Sequence, residues 1–244
     1  MRILLVSDIH SNLAALDAVF KDAGDFDKVW CLGDTVGYGP EPNECVERLR
    51  AYDALSLAGN HDLAVVGKVN LADFNSDARE AIAWSRFRLT LDNRDWLESL
   101  PTMTTLTEYG ITLVHGSPID PVWEYVYTPP VARASFDAFA TPVCLYGHTH
   151  VPLIFRKPTY EHDIASDRPR LNVPTSLTVD RLMINPGSVG QPRDDDPRAA
   201  YALIDLEAMT LTHRRVQYDV AATQQKIKLA KLPNGLGRRL RFGQ

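Results

Sequence analysis

Asp8-Ile9-His10, Gly33-Asp34, Gly59-Asn60-His61-Asp62, His115-Gly116 and Gly147-His148-Thr149-His150 follow one another along a chain of 244 residues. His61 and Asp62 apart, these segments offer two carboxylates, one amide and four imidazoles. That is the hard-to-borderline oxygen and nitrogen set that two adjacent divalent transition metals take as ligands. Two such ions roughly 3.5–4 Å apart can share a water, lower its pKa toward neutrality and clamp the oxygens of an in-line displacement at phosphorus. No protein nucleophile is then required. An imidazole beside the ions would give a proton or hydrogen bond to the departing oxygen, and His61 is the candidate for that role. Asp62 either holds His61 protonated and oriented or caps a helix that starts beside it.

The residues in front of each segment say how it is positioned. Ile3-Leu4-Leu5-Val6, Val29-Trp30-Cys31-Leu32, Ala54-Leu55-Ser56-Leu57, Ile111-Thr112-Leu113-Val114 and Val143-Cys144-Leu145-Tyr146 are short apolar runs that read as buried strands. The polar residues therefore lie just past strand ends, where the loops of an open α/β sheet can converge on one crevice. Gly33, Gly59, Gly116 and Gly147 let the backbone turn sharply and come close to such a cluster. Asn12 to Ala23 carries Leu13, Leu16, Val19 and Phe20 on one helical face, and Pro42 to Arg50 reads as a second helix with proline near its first turn. This strand–helix alternation predicts parallel pairing with right-handed crossovers.

Between Asp62 and Leu100 strand signals vanish, and Ala78, Ile82, Ser85 and Leu89 predict a helical insert at about 62–100, either a wall or lid of the site or a plain helical layer. A hairpin follows, Met103 to Leu106 and Ile111 to Val114 around Glu108-Tyr109-Gly110. Further strands are expected at Leu153 to Arg156, Leu182 to Asn185, Tyr201 to Leu206 and Leu211 to Gln217. A helix is expected from about Val220 to Leu232, with a Gly-rich basic tail that packs on the domain or on a second subunit.

In their order and types, Asp8, His10, Asp34, Asn60, His61, His115, His148 and His150 make the chain resemble the calcineurin-like metallophosphoesterases across most of its length. The resemblance implies that Asp8, His10 and His150 hold one metal, that Asn60, His115 and His148 hold the other, and that Asp34 bridges them. His61 would face the leaving group. It also implies one domain over 1–244, a four-layer α/β-β/α sandwich of two mixed sheets flanked by helices, hydrolysing phosphodiesters, phosphomonoesters or phosphoanhydrides by attack of a metal-bridging hydroxide. The protein serine/threonine phosphatases of the superfamily carry an arginine soon after the bridging aspartate; Thr35-Val36-Gly37-Tyr38-Gly39 provides none, which weakens that reading. The chain also resembles bacterial diadenosine tetraphosphate hydrolases, which implies dinucleoside polyphosphate hydrolysis as one alternative, and a non-catalytic protein-binding scaffold is the alternative from another class. Mn²⁺ is the expected metal, with Fe, Zn²⁺ and Ni²⁺ accepting the same ligands.

Other features bound the reading. Net charge of −5 argues against a non-specific nucleic-acid or membrane binder, and Arg238, Arg239 and Arg241 form only a short terminal cluster, so the expected partner is a small phosphate ester or nucleotide. Cys31, Cys45 and Cys144 lack metal-ligand spacing and leave an odd count, and Met1-Arg2 leads straight into a strand; both point to a reduced, cytoplasmic setting. Arg193, at the end of the turn-rich stretch from Asn185, either steers a phosphate or belongs to a solvated charged loop with Asp194, Asp195 and Asp196. Trp123-Glu124-Tyr125-Val126-Tyr127 reads as a packed strand with alternating aromatic residues, or else as an aromatic surface for a nucleobase. His162 and His213 match no motif and read as surface or strand residues.

Overall fold

The computed structural model describes residues 1–158 and 163–244. Its first strand, β1 (Arg2–Val6), turns Ile3 and Leu5 into one core and Leu4 and Val6 into another. Alternate side chains leave a strand on opposite faces, so a strand covered on both sides must be apolar throughout. The Asn12 side chain accepts the Ala15 amide and caps α1 (Leu13–Ala23), which buries Ala15, Leu16, Val19 and Ala23. β2 (Lys28–Cys31), α2 (Pro42–Ala51) and β3 (Leu55–Ser56) repeat the unit, and β1, β2 and β3 pair in parallel as the alternation predicts.

The stretch without strand signals is helical: α3 (Asn60–Val66), a 3-10 turn at Leu71–Asp73, α4 (Ser76–Arg88) and α5 (Leu91–Ser99). On α4 the buried residues are Ala78, Ala81, Ile82 and Ser85, the face that the spacing marks out. β4 (Met103–Leu106) and β5 (Ile111–Val114) form the expected antiparallel hairpin. Next come α6 (Pro129–Phe136), β6 (Val143–Leu145), β7 (Leu153–Lys157), β8 (Ala165–Asp167), β9 (Thr175–Ser176), β10 (Arg181–Asn185), β11 (Ala199–Asp205) and β12 (Thr210–Val216). The chain closes with α7 (Val220–Leu229) and α8 (Asn234–Leu240).

Two six-stranded mixed sheets result, in the orders β3-β2-β1-β11-β12-β9 and β4-β5-β6-β10-β7-β8. Ile3, Leu5 and Trp30 of one meet Ile111, Leu113, Leu145 and Ile184 of the other in the core between them. α1 and α2 cover the outer face of the first sheet, and Phe136 of α6 covers that of the second. The layering is therefore helix, sheet, sheet, helix.

Three elements depart from the sequence reading. β8 and β9 are short and polar, so they carry no apolar pattern to find. The Gly-rich tail contains α8, whose Leu236 and Leu240 are 1% and 4% exposed. Burial of each contributes about 1.5–3 kcal/mol. They pack with Ile227 of α7 against Val36, Tyr38 and Phe74, so the tail docks on this chain beside the candidate site.

Candidate functional site

β1, β2, β5 and β6 end at residues 6, 31, 114 and 145, each a few residues before a polar segment. Backbone bonds lace these segments together. The amides of Asp8 and His10 donate to the carbonyls of Gly33 and Asp34, the Gly147 amide to His115, and the Val189 and Gly190 amides to Ser7 and Asp8. Of the twelve non-glycine residues with positive φ among those described, seven are Asp8, His10, Ser11, Asp34, Tyr38, His148 and His150. Left-handed backbone costs such residues roughly 1–3 kcal/mol each and persists only where the surroundings over-determine it, so strain is concentrated at this one place.

The side chains converge as the segments do. Asp8, His10, Asp34 and His150 bring ligand-type atoms within 4.8 Å of one another, and so do Asp34, His115 and His148. Asp34 belongs to both groups; its Oδ2 stands 3.6 Å from His10 Nε2 and 3.5 Å from His115 Nε2. The Asn60 Oδ1 lies 3.3 Å from His115 Nε2, on the second group's side. Two groups of donor atoms that share Asp34 are thus present in space.

Whether this cluster suits metal ions can be judged from its hydrogen bonds. Each of the four imidazoles has one nitrogen against a backbone carbonyl: His10 Nδ1 on Val36 (3.2 Å), His115 Nδ1 on Leu32 (2.9 Å), His148 Nε2 on Trp123 (3.2 Å) and His150 Nδ1 on Gln191 (2.6 Å). A carbonyl only accepts, so each of those nitrogens carries the proton and the other presents a lone pair inward. The inward pairs meet, His10 Nε2 to His150 Nε2 at 3.1 Å and His115 Nε2 to His148 Nδ1 at 3.2 Å. Asp8 Oδ1 is buried with no hydrogen-bond partner, 3.3 Å from His150 Nε2. Facing lone pairs and an orphaned carboxylate oxygen are costly unless a cation lies between them.

The electrostatics agree. Burial pushes the Asp8 carboxyl up to about 7 and that of Asp34 well above the usual range. Burial also holds His10, His148 and His150 well below the usual imidazole range. Burial thus disfavours the charged forms of Asp8, Asp34, His10, His148 and His150, and divalent cations bound there would favour both carboxylates.

His61 lies over this cluster, its ring 4.8 Å from that of His10, 4.4 Å from Tyr38 and 5.1 Å from Phe74. It is buried, its Nδ1 has no partner, and burial followed by the Arg193 charge keeps it well below the ordinary imidazole range. Asp62 makes no hydrogen bond to it. The Asp62 carboxylate accepts the amides of Thr35, Val36 and Gly59 at 3.2, 3.0 and 3.1 Å. It caps α3 and pins the loop after Asp34, and it is fully buried while doing so. The structure thus contradicts the reading of Asp62 as the group that keeps His61 protonated.

Asp34, Tyr38, Asn60, His61, Asp73, Phe74, Asn75, Trp123, Tyr125, His148, His150 and Arg193 line a cavity of about 90 Å³. Arg193 is part of the site and not of a solvated loop: its Nη2 donates to Gln191 Oε1 at 3.0 Å and to Tyr38 Oη at 3.4 Å, and its Nε is buried without a partner. Residues 123–127 form no strand, and Tyr125 stacks on His148 at 3.9 Å. His213 is a strand residue on β12, 1% exposed, with its Nε2 3.0 Å from the Asn185 carbonyl; His162 lies outside the described residues.

Sequence reasoning missed Tyr38, Gln191 and Asn185. Gln191 joins His150, Arg193 and, at 3.4 Å, Arg239 of α8. The Asn185 side chain donates to the Gly147 carbonyl and to Thr149 Oγ1, holding the turn that carries His148 and His150. The one available signal was position, since Asn185 and Gln191 flank the turn-rich stretch that follows β10.

Comparison with known proteins gives a consistent set. The sequence model described as the calcineurin-like phosphoesterase superfamily domain matches residues 1–209. An uncharacterized protein of Methanocaldococcus jannaschii is 37% identical over 99% of this chain and 98% of its own length. The crystal structure of a metallophosphoesterase from Sphaerobacter thermophilus superposes with a TM-score of 0.91 at 46% identity, covering 100% of this chain and 99% of that one. A symmetrical bis(5'-nucleosyl)-tetraphosphatase of Glaesserella parasuis is 27% identical over 54% of this chain, which spans 50% of that protein's length.

Proposed function

This chain belongs to the calcineurin-like phosphoesterase superfamily and is a phosphoester hydrolase, and from that premise we propose that it works with two divalent metal ions, one held by Asp8, His10 and His150, the other by Asn60, His115 and His148, with Asp34 shared. One observation carries the reading: four imidazoles fixed by backbone carbonyls turn their free nitrogens toward the same carboxylates. Ions bound there supply Lewis acidity toward the phosphoryl oxygens and an activated water for in-line displacement, the chemistry that lets phosphate esters be cleaved without a protein nucleophile.

The chain's own residues do the rest. Arg193 presents its unpartnered Nε and the remaining guanidinium edge to nonbridging phosphoryl oxygens. His61, neutral because it is buried and has no carboxylate partner, donates a hydrogen bond to the departing oxygen. Phe74, Trp123 and Tyr125 exclude water from the cavity around the reacting group. We take Mn²⁺ as the working metal, because the mixed carboxylate, amide and imidazole donors suit it. Three buried thiols without a disulfide fit a reducing compartment, and we assign the protein to the cytoplasm on that ground. No helix among the described residues is long and apolar enough to cross a membrane.

A second reading, hydrolysis of dinucleoside polyphosphates, is favoured by the partial match to the symmetrical tetraphosphatases. A non-catalytic scaffold has no use for an intact donor set of this kind. The deciding experiment is turnover of bis-p-nitrophenyl phosphate and p-nitrophenyl phosphate by chelator-stripped protein before and after Mn²⁺. Metal-restored hydrolysis of either supports the two-metal reading; hydrolysis that survives complete stripping refutes it.

A further inference from the structure

The cavity of about 90 Å³ over the metal ligands has room for a phosphoryl group, and Tyr125 and Arg193 are among the residues that line it. A larger group attached to that phosphoryl would extend from the cavity toward its rim. There the protein exposes two large aromatic rings, Tyr125 at 45% and Tyr127 at 42%. Their planes are parallel to within 9° at a centroid distance of 5.8 Å, and Tyr125 in turn lies 3.9 Å from the His148 ring at 22°. A ladder of stacked rings thus runs from the surface to a metal ligand.

Neither tyrosine is placed by core packing. The Tyr127 hydroxyl donates to the Thr149 carbonyl at 2.7 Å, inside the segment that carries His148 and His150. Tyr125 lines the cavity together with Arg193. Between them, the Tyr146 hydroxyl donates to the Val126 carbonyl and fixes the backbone. The rings are therefore tied to the catalytic groups, and because Tyr125 stacks on both His148 and Tyr127, the exposed surface of Tyr127 at the outer end of the ladder is the part left for a ligand.

We propose that Tyr127, backed by Tyr125, forms a stacking platform for the base of a nucleoside phosphate whose phosphoryl group enters the cavity beside Arg193. The inference rests on the metal-centre reading above, which locates the phosphoryl group. Every base presents a flat π-face, so stacking on tyrosine recognises nucleotides with little sequence preference, and Arg193 couples the platform to the phosphate. A sugar phosphate without a base would fill the cavity and leave the platform bare.

The test is calorimetric binding of AMP and of ribose 5-phosphate to the Mn²⁺-loaded protein. The platform predicts AMP tighter by about 5- to 150-fold, the worth of one stacked base. Tyr127→Leu, chosen because Tyr127 touches no metal ligand side chain, should bring that ratio toward one, while Tyr125→Phe, which keeps its ring, should preserve it. Equal affinity for the two ligands in the wild-type protein overturns the proposal without recourse to any variant. So does an unchanged ratio in a Tyr127→Leu protein that melts as the wild type does. Failure to bind AMP while bis-p-nitrophenyl phosphate is still hydrolysed overturns the platform alone; loss of both removes the metal-centre reading beneath it as well.

Discussion

Gly59→Ala tests how tightly the backbone dictates the position of the shared carboxylate. Gly59 precedes Asn60 at the start of α3 with φ −92° and ψ −178°, a conformation open to alanine, so the substitution carries no torsional penalty. Its cost is steric. A Cβ there would stand 2.2 Å from Asp34 Oδ1 and 2.7 Å from both Asp34 Cγ and the Asp34 amide nitrogen. Ordinary contact between carbon and its neighbours begins near 3.5 Å, so Asp34 or the start of α3 must move by about 1 Å. Asp34 Oδ1 also accepts the His61 amide at 2.9 Å, so the same movement breaks the bond that sets His61. Overpacking of this kind typically costs about 1–3 kcal/mol in stability, and a 1 Å misplacement of reacting groups about 100-fold in rate. We expect weakened Mn²⁺ binding by mass spectrometry of the dialysed protein, a smaller rise in melting temperature on adding Mn²⁺, and about 100-fold slower turnover. Gly24→Ala is the control: nothing lies within 4 Å of its would-be Cβ, and its φ of +66° makes it lose stability alone. A Gly59→Ala enzyme with two bound metals and wild-type kinetics would refute the claim that close backbone approach places Asp34.

Three further outcomes are expected. His61→Ala should keep both metals and slow hydrolysis mainly for poor leaving groups, by about 100- to 10,000-fold, measured across a series of substituted phenyl phosphates; equal losses across the series would remove His61 from the leaving-group role. Arg193→Ala should raise KM more than it lowers kcat, because its guanidinium binds phosphoryl oxygens in ground and transition states alike, and a pure kcat defect would contradict that. His213, buried on β12, has its pKa lowered from 6.5 to about 4. Below pH 6.5 the unfolded chain takes up this proton and the folded one does not, so stability falls with pH through the window from about 6.5 to about 4, by up to roughly 3 kcal/mol. Urea titrations should show this slope flattened in His213→Gln, and an identical slope in both proteins would assign the pH dependence to other groups.

The candidate donors and their order were legible in the sequence, because each sits a few residues past a short apolar run, whereas a division into two groups about Asp34 came only from the family resemblance. Strand and helix periodicity likewise placed β1 through α2, the helical stretch around α4 and the β4–β5 hairpin. Local chemistry suffices for such features: a strand covered on both faces must be apolar, and a metal ligand must be a donor. What the sequence left open was decided by contacts between segments far apart in the chain. Asp62 turned out to serve the amides of Thr35 and Val36, 27 and 26 residues away. Arg193 gained Tyr38, 155 residues away, and α8 closed over Val36, Tyr38 and Phe74. The stack of Tyr125 on His148, in a stretch that reads from the sequence as a packed strand or else an aromatic surface, arises the same way. A residue's type limits which bonds it can form, but which partner satisfies a buried carboxylate or guanidinium depends on what the fold brings within 3 Å of it, and no local pattern records that.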